Sequence, residues 1–241
     1  LKTDNVNTND MLTTIAELQI DAMVVIAFGQ KLSNELINAQ RTMNLHASLL
    51  PRWRGASPIN AAVVNGDSTT GVSVITLAQE MDAGRILGQV ETSIGETETA
   101  GELHDRLSLL GPDLILEVLA GNDDGDLQDE SLVTYASKLS RNDALLDLTN
   151  DSETVARTIR GLSPWPCCHL IICGVDCKIL RAISNTNSGV VGEVLENGSI
   201  ATGTGSIEIL EMKPSGSKAM SWKDFCNGRS ITSGCTCEVP E

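Results

Sequence analysis

The first half of the chain alternates helical and strand-like hydrophobic patterns, and this alternation constrains the fold more than any other feature. AMVVIAFG is a short apolar run, typical of a strand buried on both faces of a sheet. Helical spacing in NDMLTTIAELQ precedes it, and the strand-like RTMNLH and the helical SPINAAVVNG follow. The pattern predicts an α/β domain, a partial doubly wound, Rossmann-like sheet with helices on its faces.

The pattern changes after Gly121. NDDGDLQDE is acidic, contains glycine and lacks periodicity, which predicts a linker or a surface loop. Beyond it, one helical segment leads into short strand-like runs, among them HLIIC, CKILRAIS, GVVGEVLE and SIEILEM, separated by turn signals. We therefore predict a first domain at 1–121, a linker at 122–140 and a small β-barrel domain at 141–241.

The formal charge of −15 argues against a general nucleic-acid-binding protein. The acidity belongs mainly to residues 1–139, with 8 basic and 20 acidic groups, whereas residues 140–241 carry 9 and 12. The second half could therefore still present a basic face. No apolar run reaches the length of a membrane span, and no secretory signal begins the sequence. We expect no membrane association, a cytoplasmic location and seven reduced cysteines.

Polar side chains gather at one strand end of the predicted sheet. Side chains of a strand alternate, so Asn44 and His46 of RTMNLH share a face near its carboxyl end, where α/β sheets bind ligands. A loop stiffened by Pro51 follows and offers apolar side chains to a flat ligand. Asp82, in a turn before Gly84, could orient the imidazole and favour its charged form. Such a group suits acyl transfer to an amine, because Asn and His stabilise an oxyanion while Asp and His move the proton.

Each of these signals has a plainer alternative. An Asn-x-His pair is more often an ordinary strand end, and an Asp before Ala-Gly is a common turn residue. Arg52 and Arg54 could contact an RNA phosphate or pair with nearby carboxylates. CCHLIICGVDC could bind zinc, but buried thiols explain these cysteines better, and we expect no metal. His104 is expected on the surface of a long helix.

NLHASLLPRWRGASPI, followed at this distance by MDAGRIL, resembles the signature of the 10-formyltetrahydrofolate-dependent formyltransferases. LVTYASKLSRNDALLDL and IRGLSPWP resemble the domain junction and second-domain entrance of the members that act on methionyl-tRNA. The similarity extends from Leu18 to Arg229. It implies transfer of the formyl group of 10-formyltetrahydrofolate to the α-amino group of methionyl-initiator tRNA, in translation initiation.

The resemblance also assigns residues. It implies that Asn44, His46 and Asp82 are catalytic, that Ser48, Leu49, Leu50 and Pro51 contact the folate, and that Phe28 and Gly29 help to form the pterin pocket. It further implies an OB-like second domain that grips tRNA, and we expect a monomer. Two alternatives stay open: another amine acceptor, such as a sugar nucleotide or glycinamide ribonucleotide, and a non-catalytic RNA-binding remnant.

The family's catalytic domain starts earlier than this sequence does, by roughly 60 residues on the size of βαβ units. A sheet without its first strands has unpaired edges and uncovered apolar faces. We therefore expect an N-terminally truncated chain that, expressed alone, is inactive or prone to aggregate.

Overall fold

A computed structural model describes residues 3–39, 41–121 and 124–240. The chain divides into two compact units, each built from three stretches of sequence. The first comprises Leu1–Pro58, Thr69–Ser93 and Arg106–Ser137, and the second comprises Ile59–Ser68, Ile94–Asp105 and Lys138–Glu241. The domains expected from the sequence, 1–121 and 141–241, are each one continuous stretch of chain, and their limits stay predictions.

Helices and strands alternate through the first unit, and strands predominate in the second. The helices of the described residues are α1 (Asn9–Glu17), α2 (Asn34–Ala39), α3 (Pro58–Asn65), α4 (Ala100–Ala120), α5 (Ser152–Gly161) and α6 (Trp222–Arg229). The strands are β1 (Ala22–Ile26), β2 (Arg41–His46), β3 (Arg54–Gly55), β4 (Thr69–Thr76), β5 (Ile86–Ser93), β6 (Tyr135–Ala136), β7 (Cys168–Ile172), β8 (Val175–Asn185), β9 (Ile200–Ala201), β10 (Ser206–Pro214), β11 (Met220–Ser221) and β12 (Cys237–Glu238). Within the described ranges, none of these helices combines the length and the apolarity that a membrane crossing requires.

The first unit contains a four-stranded mixed sheet in the order β1-β2-β4-β5. β1 and β2 run parallel, in a register that pairs Val25 with Asn44, and the other two pairings are antiparallel. β4 is buried along most of its length, as the apolar GVSVITL predicts. The predicted α/β class with a Rossmann-like first domain is confirmed.

One expectation for this sheet is wrong. β1 was predicted to be buried on both faces, yet its residues are only partly buried and Ile26 is 56% exposed. The reason is its place in the sheet. β1 is an edge strand and pairs with β2 alone among the described residues, so its apolar side chains have fewer neighbours to pack against.

Helix α4 packs closely on the sheet at two glycines. A Cβ on Gly111 would lie 2.5 Å from Cδ2 of Leu45, and a Cβ on Gly88 would lie 3.0 Å from side-chain carbons of Leu114 and Val118. Leu45 therefore faces α4, while Asn44 and His46 project from the opposite face of β2. This packing fixes the strand that carries the polar pair.

The second unit is an antiparallel, nearly closed β-barrel, which confirms the predicted barrel. Its strands follow the order β11-β10-β8-β7-β12, and β9 pairs with β10. Helix α5 begins at its N-cap Asp151, whose side chain accepts a hydrogen bond from the Thr154 amide. Its buried face, with Val155 and Ile159, joins the core formed by the strands.

Two predictions for the second unit are wrong. GVVGEVLE does not form a strand, because Gly192 has a φ of +82° and only isolated bridges involve the neighbouring Glu193 and Val194. The cysteines are not all thiols either, because Cys173 and Cys235 are joined in a disulfide across 62 residues of sequence.

Candidate active site

Three polar side chains meet in the first unit, where β2 ends. Oδ2 of Asp82 lies 3.5 Å from Nδ1 of His46, and Oδ1 of Asp82 accepts a hydrogen bond of 3.4 Å from the Asn44 amide. Asn44 and His46 come together through the alternation of one strand, whereas 38 residues separate Asn44 from Asp82. The cluster therefore depends on the turn that follows β4.

That turn holds the Asp82 carboxylate in a defined position. Asp82 adopts a left-handed backbone conformation with φ of +53°, and its Oδ2 accepts a 2.9 Å hydrogen bond from the Gly55 amide. Two residues later the chain passes so close to β4 that a Cβ on Gly84 would lie 1.6 Å from the Thr76 carbonyl oxygen. Glycine at position 84 is thus required for the turn to reach the cluster.

The His46 ring is oriented from both sides. Its Nε2 lies 2.8 Å from the Trp53 carbonyl oxygen, and because a carbonyl can only accept, Nε2 carries a proton. Nδ1 faces Asp82, so each of the two ring nitrogens lies on the side of an oxygen atom. The side chains of His46 and Asp82 are 6% and 14% exposed, a setting in which electrostatic interactions are stronger than in water.

The loop after β2 is fixed by a network of buried hydrogen bonds. The Ser48 hydroxyl donates to the Arg52 carbonyl oxygen, and the Ser73 hydroxyl donates to the Ser48 carbonyl oxygen. The Leu50 backbone amide donates to the Ser73 hydroxyl oxygen. The side-chain amide of Gln89 donates to the same hydroxyl oxygen and to the Leu50 carbonyl oxygen. The side chains of Ser48 and Leu50 are buried in this network, so they shape the loop from inside.

The other predicted folate contacts lie nearer to solvent. Leu49 and Pro51 are partly buried, and Phe28 is 43% exposed. A Cβ on Gly29 would meet no atom within 4 Å. Phe28 and Gly29 follow β1, so they leave the sheet at the same edge as the end of its parallel neighbour β2, where α/β sheets bind ligands.

Arg54 is a structural residue of this site. Its side chain is 1% exposed and pairs with Glu130 at 2.8 Å, which excludes the alternative of a contact with an RNA phosphate. Arg52 differs, because its side chain is exposed and its guanidinium carbon lies 5.1 Å from the centre of the Trp53 ring, within cation–π range.

Sequence reasoning missed Gln128. Its side-chain oxygen accepts hydrogen bonds from Nε and Nη2 of Arg54, and its side-chain nitrogen donates to the carbonyl oxygens of Asp82 and Gly84. Gln128 lies in NDDGDLQDE, the acidic stretch that carries no periodic signal. Nothing in the local sequence points to its role.

No metal centre is gathered within the described ranges, since no group of three or more His, Cys, Asp or Glu side chains is arranged to hold an ion. Of the residues considered for zinc, Cys173 is engaged in the disulfide. Burial raises the pKa of the Cys168 thiol to about 12 and that of Cys177 to about 11. Buried thiols of this kind are poor metal ligands, because the ligand is the thiolate.

The barrel carries a row of basic side chains across three neighbouring strands. The register pairs His169 of β7 with Lys178 of β8, and Lys178 with Lys213 of β10. Both lysines are exposed, while His169 lies 2.9 Å from Asp176. This row is a basic strip within an acidic protein.

Comparison with known proteins identifies the family of the chain. The formyl transferase family model matches residues 1–119, and the formyl transferase C-terminal domain model matches residues 138–230. A methionyl-tRNA formyltransferase of Methylococcus capsulatus is 37% identical over 228 residues, which are 90% of this chain and 74% of that relative. The chain belongs to the formyltransferase family. It is accordingly an enzyme of one-carbon formyl transfer.

Solved structures of other proteins show a similar fold. HypX from Aquifex aeolicus, crystallised in complex with tetrahydrofolic acid, superposes with a TM-score of 0.68 at 19% identity, over 94% of this chain and 42% of HypX. Methionyl-tRNA formyltransferase from Clostridium thermocellum gives a TM-score of 0.61 at 17% identity, over 87% of this chain and 85% of its own. At such identities the similarity concerns the fold alone.

Proposed function

We propose that this formyltransferase moves the formyl group of 10-formyltetrahydrofolate to the α-amino group of methionyl-initiator tRNA, for translation initiation. The observation that carries the proposal is the position of the Asp82 carboxylate, which lies 3.5 Å from the His46 ring and 3.4 Å from the Asn44 side-chain amide. An amide, an imidazole and a carboxylate are what transfer of an acyl group to an amine requires.

In the proposed reaction the amine nitrogen attacks the formyl carbon, and the electron pair of the C=O bond moves onto oxygen. The Asn44 amide and the protonated His46 ring stabilise this oxyanion. Since Nε2 of His46 donates to Trp53, Nδ1 is the nitrogen that serves the reaction. Asp82 takes a proton from the nitrogen that has attacked, which carries a positive charge once its bond to the formyl carbon has formed. The bond from the formyl carbon to N10 then breaks, and N10 takes a proton from His46, giving the formylated amine and tetrahydrofolate.

We assign folate binding to the surface around the rigid loop after β2. Leu49 and Pro51 offer apolar contacts, and the exposed ring of Phe28 beside Gly29 offers a face to a flat heterocycle. Ser48 and Leu50 hold the loop through their buried contacts. Support for folate as formyl donor comes from the family and from HypX, whose crystals hold tetrahydrofolic acid.

The second unit supports tRNA as the carrier of the amine. Its domain model, 138–230, continues the match to relatives named as methionyl-tRNA formyltransferases. The strip of Lys178 and Lys213 on the barrel offers positive charge to a phosphate backbone. An enzyme of translation initiation would act in the cytoplasm, and we expect it to be a monomer.

The proposal is tested by the rate of formyl transfer from 10-formyltetrahydrofolate to methionyl-initiator tRNA, measured on the protein with its expected N-terminal segment in place. Asn44→Ala should lower kcat by about 10²-fold or more, because it removes an oxyanion donor. His46→Ala should cost at least as much, because it also removes the proton donor. His104→Ala is the matched control: this histidine is 67% exposed on α4 and should be replaceable without loss.

The acceptor is tested in the same assay. Methionyl-initiator tRNA should be formylated, whereas an amino sugar nucleotide and glycinamide ribonucleotide should not be. Faster transfer to either small amine would overturn the tRNA assignment. Retention of full activity in Asn44→Ala or His46→Ala would refute the residue roles.

A further inference from the structure

Gln128 uses the whole hydrogen-bonding capacity of its side-chain amide within the site. Its oxygen accepts from Nε of Arg54 at 2.9 Å and from Nη2 at 2.8 Å. Its nitrogen donates to the carbonyl oxygen of Asp82 at 2.8 Å and to that of Gly84 at 2.7 Å. A guanidinium can only donate and a carbonyl can only accept, so the chemistry of the four partners fixes the orientation of the amide.

These bonds join two backbone segments that meet at the Asp82 side chain. One segment is the turn from Asp82 to Gly84, which Gln128 holds by two carbonyl groups. The other contains Arg54, whose neighbour Gly55 donates its amide hydrogen to Oδ2 of Asp82 at 2.9 Å. The side-chain amide of Gln128 therefore binds both segments that are joined by the hydrogen bond from the Gly55 amide to the Asp82 carboxylate.

The segment around Gln128 is itself attached to the first unit. Asp126 and Ile86 exchange backbone hydrogen bonds of 2.8 and 2.9 Å, and β6 pairs in parallel with β3. Gln128 thus lies between two anchored points. Its neighbour Leu127 is 77% exposed, so the side chains of this stretch are not generally buried.

We infer that Gln128 is a positioning residue for formyl transfer, which fixes Asp82 relative to His46 by holding the Asp82 turn against Arg54. The inference rests on the proposed role of Asp82. A misplacement of about 1 Å in a catalytic group can cost about 10²-fold in rate, so a modest shift of the turn should be visible in kcat.

The test uses Gln128→Glu, which keeps the size of the side chain and an oxygen acceptor for Arg54. It replaces the amide N–H groups by an oxygen that faces two carbonyl oxygens, and therefore breaks the link to the Asp82 turn. We expect kcat to fall about tenfold or more, with KM for both substrates within about twofold of wild type. A residue that only accepted hydrogen bonds from Arg54 would tolerate this change. Leu127→Ala is the control and should keep the wild-type kcat.

A second measurement needs no substrate. The chain has three histidines, so protein labelled with ¹⁵N-histidine gives three sets of ring signals. In Gln128→Glu the Nδ1 signal of His46 should shift, because its carboxylate neighbour has moved. The signals of His104 and His169, which have their own carboxylate neighbours, should stay in place.

The outcomes are separable. If the wild-type protein, with its expected N-terminal segment in place, transfers no formyl group but the His46 signal still shifts in the variant, the proposed function fails and the positioning of Asp82 by Gln128 stands. An unchanged kcat and an unchanged His46 signal would overturn the inference. If Gln128→Glu does not fold, Gln128→Met, which removes both links without adding charge, replaces it. If both variants fail to fold, Gln128 is a residue of general structure and the inference is overturned.

Discussion

Replacement of Asp82 by Asn tests the electrostatic part of the site with almost no change in shape. The variant loses the negative charge 3.5 Å from Nδ1 of His46. An amide oxygen can still accept the hydrogen bond from the Gly55 amide, so the turn should keep its course. The change therefore isolates the charge and the proton acceptor from the geometry.

The structure sets the size of the effect. Two unit charges 3.5 Å apart interact by about 5 kcal/mol at an effective dielectric constant of about 20. Each 1.4 kcal/mol or so corresponds to tenfold in rate, so complete loss of this interaction in the transition state would cost roughly 10³ to 10⁴ in kcat. Water and the neighbouring side-chain amide of Asn44 replace part of this interaction, and we therefore expect kcat to fall by about 10²- to 10³-fold.

The assay is steady-state formyl transfer, with both 10-formyltetrahydrofolate and the acceptor at saturating concentration, so that it reports kcat. The protein offers a matched control in Asp105→Asn, because Asp105 also contacts a histidine, His104, at 3.1 Å. That pair is exposed to solvent, and its loss should leave the rate unchanged. A turnover for Asp82→Asn within a few-fold of wild type would refute the reasoning, because the charge would then contribute nothing to the transition state.

Three further predictions concern stability and thiol reactivity. Gly84→Ala should unfold the first unit at a temperature several degrees lower, because its Cβ would overlap the Thr76 carbonyl oxygen; Gly29→Ala, where the space is open, is the control in the same thermal melts. A hydrogen bond from Arg181 lowers the pKa of Glu102 to about 2, so the charged carboxylate stabilises the fold above about pH 4.5 and this stabilisation is lost as the pH falls through about 2. The difference in free energy of unfolding between wild type and Glu102→Gln should therefore shrink between these two pH values. A difference that stays constant over this range would contradict the prediction. Burial raises the pKa of the Cys168 and Cys237 thiols to about 12, so both should resist alkylation in the native protein at pH 8. A thiol assay should count five free thiols in the protein unfolded without reductant and seven in the protein unfolded after reduction.

The sequence predicts well what depends on local periodicity. The alternation of RTMNLH places Asn44 and His46 on one face of a strand, and the structure has both there on β2. The short apolar runs of the second half become β7, β8 and β10 of the barrel. In each case neighbouring residues carry the signal, so no knowledge of distant contacts is needed.

Long-range contacts leave no comparable signal. The approach of Asp82 to His46 rests on the close passage of Gly84 past β4, and the sequence offered Asp82 as a candidate partner for the imidazole without showing that the two side chains converge. The resemblance to formyltransferases, not spacing, implied that they do. The Cys173–Cys235 disulfide joins residues 62 positions apart, and the composition of the chain favoured thiols. Exposure of β1 likewise follows from its place in the sheet, which its apolar sequence does not state.

The orientation of His46 shows how far such contacts determine the chemistry. The sequence places an imidazole beside an amide but does not show which ring nitrogen takes part in proton transfer. The Trp53 carbonyl oxygen binds Nε2, and this leaves Nδ1 on the side of Asp82. Proton transfer through Nδ1 then requires the Asp82 carboxylate to stay on that side of the ring. Two hydrogen bonds keep it there, one from the Gly55 backbone amide to the carboxylate and one from the Gln128 side chain to the Asp82 carbonyl oxygen. The same dependence makes Gln128→Glu and Asp82→Asn act on one step, so their effects on kcat should combine to less than the product of the two single losses.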